Sequence, residues 1–152
     1  MANTQALCTQ FKADVLHGLH AFGASVVRAA TTKDAYNAAL YLASASRGAG
    51  DTVYSATGEV SGTNYTAGGV AVTTGTAPAT SGTTAFFTPS ADIVFANVTL
   101  ATAFDAVLIY NDTSATKLAV SVHTFGSQTV TAGTFTLTMP ANDATTGLIR
   151  IA

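Results

Sequence analysis

Thr134-Phe-Thr-Leu-Thr-Met139 alternates polar and apolar residues without a break. Lys117-Leu-Ala-Val-Ser-Val-His123 does the same, with its larger apolar residues at every second position. In an extended chain, successive side chains point to opposite faces, so strict alternation is the pattern of a half-buried β-strand. The two stretches predict a mainly β protein.

Further segments of strand length recur along the chain between turn signals. They cover residues 36–43, 52–55, 70–73, 84–88, 93–100, 104–110 and 148–151. Residues 104–110 are apolar on both faces apart from Asp105, which predicts a central strand. Residues 75–82 read as a connection, and Ala132-Gly133 as a tight turn or bulge. Many short, evenly spaced strands predict an antiparallel β-sandwich of jelly-roll-like type.

The N-terminal region carries a different pattern, which predicts a helix from residue 3 to about residue 20. Asn3 or Thr4 provides an N-cap. One apolar stripe follows the helical repeat, formed by Leu7, Phe11, Val15, Leu19 and Phe22. Two arrangements are open: the helix packs on its own sheet, or it is an arm that docks on a neighbouring subunit. We favour the arm, with the stripe as an assembly interface, and divide the chain into residues 1–23 and a single β-sandwich domain over residues 24–152.

The composition is poor in charge. Only 9% of the 152 residues are charged and the net charge is −2, whereas an ordinary globular domain has about 25% charged residues. Short uncharged side chains lose little rotamer entropy when they are covered, which favours a homo-oligomer, either a dimer or a trimer. The absence of a basic stripe argues against nucleic acid as a partner. No apolar run is long enough to span a membrane, which argues against a membrane partner.

Residues able to carry chemistry are few and scattered. Glu59 is the only glutamate and lies in a glycine-rich stretch, where it is available for a cation or for the backbone of a neighbouring subunit. His17 and His20 share a helical face, but a zinc site needs further ligands. Ser121 and His123 are two residues apart and have no acid next to them. We therefore expect no enzymatic activity, no cofactor and no metal site.

Five segments taken together carry a family resemblance. Gly58-Glu-Val-Ser-Gly-Thr-Asn-Tyr-Thr-Ala-Gly-Gly69 matches a "GEVSGxxYTAGG" element, and Phe104-Asp-Ala-Val-Leu-Ile-Tyr-Asn111 matches the strand that follows it. Val122-His-Thr-Phe-Gly126 matches a "V-x-x-F-G" element, and the segments 131–140 and 148–151 match the end "TAGTFTLTMP…IIRI". Over residues 36–152 the chain resembles a family of small virion proteins of tailed bacteriophages.

The resemblance implies a structural component of the virion. The expected role is a capsid decoration or cement protein that is made in the host cytoplasm, binds the major capsid protein and stabilises the head shell from its outer surface. The family pattern contains no catalytic residues to carry over. Two other classes remain open: a tail or adhesin-type β-sandwich that binds a carbohydrate or receptor, and a small hydrolase.

Overall fold

The protein is mainly β in a computed structural model that describes residues 2–8, 11, 15, 19–20, 22, 33–82 and 84–151. Its strands form two antiparallel sheets. The strands are β1 (Ala6–Leu7), β2 (Tyr36–Leu42), β3 (Val70–Val72), β4 (Ala79–Ser81), β5 (Thr84–Phe87), β6 (Ile93–Asn111), β7 (Ala119–Leu137) and β8 (Ile149–Ile151).

The larger sheet is built around a long hairpin of β6 and β7. Its strand order is β1-β7-β6-β2-β3. The hairpin pairs from Tyr110 with Ala119 at the turn to Ile93 with Leu137 at the open end. Residues 104–110 lie between β2 and β7, and nearly all of them are buried. The prediction of a central strand there is confirmed.

The hairpin folds over on itself. Phe125 and Phe135 belong to the same strand and are ten residues apart, which corresponds to about 33 Å in a straight strand. Their ring centroids are nevertheless only 5.1 Å apart. Repeated register shifts between Phe95 and Ala106 bend the pair, and Ala132 has a positive φ of 46°. The two halves of the hairpin therefore face each other across a shared core.

This bend corrects the predicted strand boundaries. The segments 93–100 and 104–110 were expected as separate strands, as were those around 117–123 and 134–139, but each pair lies within one continuous strand. Bulges let the backbone change direction without leaving the ladder, so an irregular segment in the sequence is not a strand end. The predicted bulge at Ala132-Gly133 is confirmed, because the register shifts next to the pair of Gly133 with Val98.

The smaller sheet has the order β4-β5-β8. Its first strand lies within residues 75–82, which were expected to be a connection only. Ala79 pairs with Phe86 there, so the hydrogen-bonding partner outweighs the turn-forming composition. Conversely, the strand predicted over residues 52–55 is reduced to a single bridge between Val53 and Leu118.

The start of the chain also differs from expectation. Ala6 and Leu7 form a strand on the edge of β7, opposite Val122 and Ser121, so the helix predicted from residue 3 is wrong at its beginning. The β7 edge offers these residues cross-strand partners that a helix would forgo. Phe11 and Val15 have helical backbone, but residues 9–10, 12–14 and 16–18 lie outside the described residues. A helix over the predicted range is therefore not established.

Candidate functional site

The glycine-rich stretch 58–69 is organised around the Glu59 carboxylate. The Tyr54 hydroxyl donates a hydrogen bond to Oε2 at 2.6 Å. The Tyr65 hydroxyl and the Gly68 N–H both donate to Oε1, each at 2.7 Å. Both oxygens are therefore engaged inside the chain. The expectation that Glu59 reaches a cation or a neighbouring backbone is replaced by an internal role, in which the carboxylate ties its own loop together.

Tyrosines that are scattered in the sequence converge on this carboxylate. The Tyr54 and Tyr110 rings stack with centroids 4.7 Å apart. The Tyr110 hydroxyl donates to the Gly68 carbonyl at 2.8 Å. Burial first, and then the bond to Glu59, raises the pKa of both Tyr54 and Tyr65 well above the ordinary value. Both phenols therefore remain protonated and able to donate at any physiological pH.

Two glycines of the stretch are required by close backbone contacts. A Cβ on Gly69 would lie 1.8 Å from the Ala38 carbonyl oxygen, and its φ is +78°. A Cβ on Gly62 would lie 2.0 Å from the Thr99 carbonyl oxygen. Both distances are far below van der Waals contact, so only glycine fits. These glycines press the loop against β2 and β6.

A neighbouring turn at residues 47–51 supports the same loop. Arg47 forms an ion pair with Asp51 at 2.9 Å and donates to the Thr57 carbonyl at 2.9 Å. The guanidinium also lies 4.6 Å from the centroid of the Tyr41 ring. The Tyr41 hydroxyl donates to the Ser55 carbonyl at 2.6 Å. The turn thus anchors the chain just before Glu59.

A cleft of about 620 Å³ contains the Ser121–His123 pair. Ser121 Oγ lies 2.9 Å from His123 Nε2. Burial lowers the pKa of His123 to about 4, so the imidazole is neutral at physiological pH. The spacing is that of a nucleophile and its base, because side chains two apart on a strand share a face.

Other features of the cleft do not fit Ser–His hydrolysis. Ser121 is only 1% exposed, which leaves its hydroxyl inaccessible to a substrate carbonyl. No Asp or Glu is among the described residues that line the cleft, so no carboxylate there orients the imidazole. The pair therefore satisfies a buried hydroxyl rather than forming a catalytic dyad.

The apolar stripe predicted as an assembly interface is distributed over several environments. Phe11 is 0% exposed. Phe22 stacks on Tyr36 with ring centroids 4.8 Å apart and contacts Phe87 at 4.8 Å. Leu7 lies in β1, and Val15 packs against the core. Leu19 is 48% exposed, which is the largest exposed fraction of the five. A role of these residues between subunits stays a prediction, as does the division at residue 23.

Within the part of the chain that the structure describes, no group of three or more His, Cys, Asp or Glu side chains is placed to hold a metal ion. His17 lies outside the described residues. No helix in the described part of the chain has the length and hydrophobicity needed to cross a membrane.

Comparisons with family models, with curated proteins and with solved structures find no match to this chain. The Glu59 loop is the feature that sequence reasoning underestimated. Its signal was present in the sequence as one glutamate, a nearby tyrosine and four glycines within twelve residues.

Proposed function

We propose that the protein is a non-enzymatic structural component of a tailed-phage virion, acting as a capsid decoration or cement protein. In this role it binds the major capsid protein on the outer surface of the head and stabilises the shell. It is made in the host cytoplasm and assembles as a homo-oligomer. Its fold is a β-sandwich of jelly-roll-like type, an arrangement supported by the folded-over hairpin.

One observation carries the proposal: the motif that most resembles the phage family is used for packing. Glu59, Tyr65 and Gly69 turn inward and fix the loop on β2. Residues that define a substrate site converge on an accessible cavity, whereas these converge on one another. A motif of this kind holds the loop of residues 58–69 in one fixed conformation. A protein that packs against a capsid shell requires such a fixed surface.

The surface chemistry supports the same role. With 9% charged residues, the protein has few charged groups to desolvate when it is covered by a partner. Interfaces that are buried permanently are depleted of charged residues at their centres. A small β-domain with a neutral, threonine-rich surface is suited to lie against a protein shell.

The tail or adhesin alternative requires aromatic rings that face solvent. Carbohydrate sites commonly use the amphipathic faces of tyrosine or tryptophan. The sequence has no tryptophan, and Tyr54, Tyr65 and Tyr110 are occupied by the Glu59 loop. No specific observation therefore favours the alternative, and glycan binding becomes an outcome of the test below.

The deciding experiment locates and counts the protein in purified particles. Quantitative mass spectrometry should find a copy number comparable to that of the major capsid protein, and antibody labelling should decorate heads. The tail or adhesin alternative would be supported instead if particles held only a few copies, antibodies labelled the tails and the protein bound on a glycan array. Absence from particles would overturn the proposal.

A second measurement tests the cement role itself. Heads that lack the protein should rupture at a lower temperature, and purified wild-type protein added back should restore the higher temperature. A variant with a misfolded loop, Gly69→Val, serves as the matched control and should not restore it. Unchanged rupture with and without bound wild-type protein would show that the protein decorates heads without stabilising them.

A further inference from the structure

We propose that the outer edge of β7 over residues 129–137 pairs with the same edge of a second copy of this chain, forming one continuous antiparallel sheet across a dimer. This contact is separate from the proposed attachment to a shell. It also differs from the N-terminal stripe, which packs mainly on its own core.

The first observation is an open strand edge. Residues 130–137 of β7 pair with β6 on one side, from Val130 with Leu100 to Leu137 with Ile93. On the other side, the only described strand that pairs with β7 is β1, and it reaches only Ser121 and Val122. Within the described chain, the backbone edge beyond the bend therefore has no strand beside it.

The second observation is that this edge carries no charge and no proline to prevent pairing, and the bulge at Ala132-Gly133 is its one protective feature. No Asp, Glu, Lys, Arg or Pro occurs between Thr124 and Met139. Soluble β proteins normally blunt an open edge with charges, prolines or a covering element, because an unprotected edge accepts another strand. Thr134 and Thr136 are exposed and Phe135 points to the core, so this segment keeps regular alternation.

These features favour a second copy as the occupant. Two identical edges that pair antiparallel are related by a twofold axis, which closes the assembly at a dimer. Every residue of this edge would face an uncharged residue of its partner, so no like charges meet. Thr–Thr pairs across antiparallel strands are mildly favourable. The same edge already accepts Ala6 and Leu7 as an antiparallel strand, which shows that β7 is competent for such pairing.

The test compares lysine variants by sedimentation. Wild-type protein at micromolar concentration should be a dimer. Thr131→Lys combined with Thr134→Lys places like charges on both edges and should raise the dimer dissociation constant at least about tenfold. The matched control is Ser61→Lys combined with Thr66→Lys, which adds the same charge at exposed positions of the Glu59 loop and should leave the dimer intact. A wild-type monomer, a trimer, or a dimer that survives the edge variant would overturn the proposal.

Amide hydrogen exchange on the wild-type protein gives a second readout that needs no variant. The backbone N–H groups on the open side of residues 129–137 should exchange slowly at micromolar concentration and quickly after dilution, since pairing alone protects them. Exchange that is fast at every concentration in solution but slow on assembled heads would assign the edge to the shell protein and overturn self-pairing. Loss of particle binding with a persistent dimer would instead refute the proposed shell role and leave this inference standing.

Discussion

The Tyr65 hydroxyl donates to Glu59 Oε1 at 2.7 Å and at the same time accepts a hydrogen bond from the Leu40 N–H at 3.0 Å. One side chain thus joins the carboxylate of the loop to the backbone of β2. The Leu40 side chain is 0% exposed. The loop is consequently part of the core structure, even though it contains little regular secondary structure.

Removing the Tyr65 hydroxyl should destabilise the fold more than removing the Tyr54 hydroxyl. Tyr65→Phe leaves the Leu40 N–H unpaired and removes one of the two donors to Glu59 Oε1, and should lower the free energy of unfolding by about 1.5–3 kcal/mol. Tyr54→Phe leaves one partner unpaired and should cost less. Urea denaturation measures both. Equal losses in the two variants would contradict the double role of Tyr65.

Gly69→Ala should be severely destabilising. The new Cβ would meet the Ala38 carbonyl at 1.8 Å at a residue whose φ is +78°. We expect a loss of about 3 kcal/mol or more, or a failure to fold. Gly50→Ala is the control, because nothing lies within 4 Å of its Cβ position, and it should change stability by less than about 0.5 kcal/mol. Similar melting temperatures for the two variants would show that the loop can move away from β2.

Leu108→Ala tests the central strand. Leu108 is fully buried between β2 and β7, so truncation leaves a cavity and should cost about 2–5 kcal/mol. Val53→Ala removes a partly exposed side chain at a single bridge and should cost less than about 1 kcal/mol. Thermal denaturation distinguishes them, and a loss below about 1 kcal/mol for Leu108→Ala would be inconsistent with this core.

Phe11 and Leu19 separate the two readings of the N-terminal segment. Phe11→Ala should cost about 3–5 kcal/mol, because the ring is fully buried. Leu19→Ala should cost less than about 1 kcal/mol, because Leu19 is 48% exposed and buries only part of its side chain. Particle binding by the Leu19 variant is the second readout. Normal stability with weakened binding would support the predicted assembly role, whereas normal stability with normal binding would remove Leu19 from it.

Stability should fall in mild acid because of His123. Its pKa is lowered by burial from 6.5 to about 4, so between these values the unfolded chain binds a proton that the folded chain does not. The contribution is complete above pH 6.5, declines as the pH falls and is lost near pH 4. We expect a loss of about 1–3 kcal/mol over this window, allowing for partial exposure of the ring.

The control for this prediction is His123→Gln, which keeps a hydrogen-bonding group near Ser121 but does not titrate. Carboxylates protonate in both proteins, so their effect cancels in the difference between wild type and variant. Urea denaturation at pH 7 and pH 4 should show a smaller acid loss in the variant. Identical losses would mean that His123 is solvated in the folded state.

Local pattern was sufficient for much of the strand content. Segments of strand length between turn signals predicted strands over residues 36–43, 70–73 and 84–88, where the structure has Tyr36–Leu42, Val70–Val72 and Thr84–Phe87, and the two-sided apolar run predicted the burial of residues 104–110. These predictions hold because the period-two pattern and burial act on adjacent residues, without reference to distant partners. The glycines of residues 58–69 likewise indicated a loop with special backbone geometry.

Pairing across long distances was decided only by the tertiary structure. Ala6 and Leu7 are extended because the β7 edge satisfies their backbone, although their sequence pattern continues a helical repeat. Phe125 and Phe135 meet because the hairpin bends at its bulges, and no local signal gives the direction of that bend. Glu59 and Tyr110 are fifty-one residues apart in the sequence, and Gly68 joins them: its N–H donates to Glu59 Oε1 and its carbonyl accepts from the Tyr110 hydroxyl. The sequence by itself determined which segments form the buried strands. Only the tertiary structure decided which polar groups form hydrogen bonds, because a hydrogen bond depends on the positions of both partners.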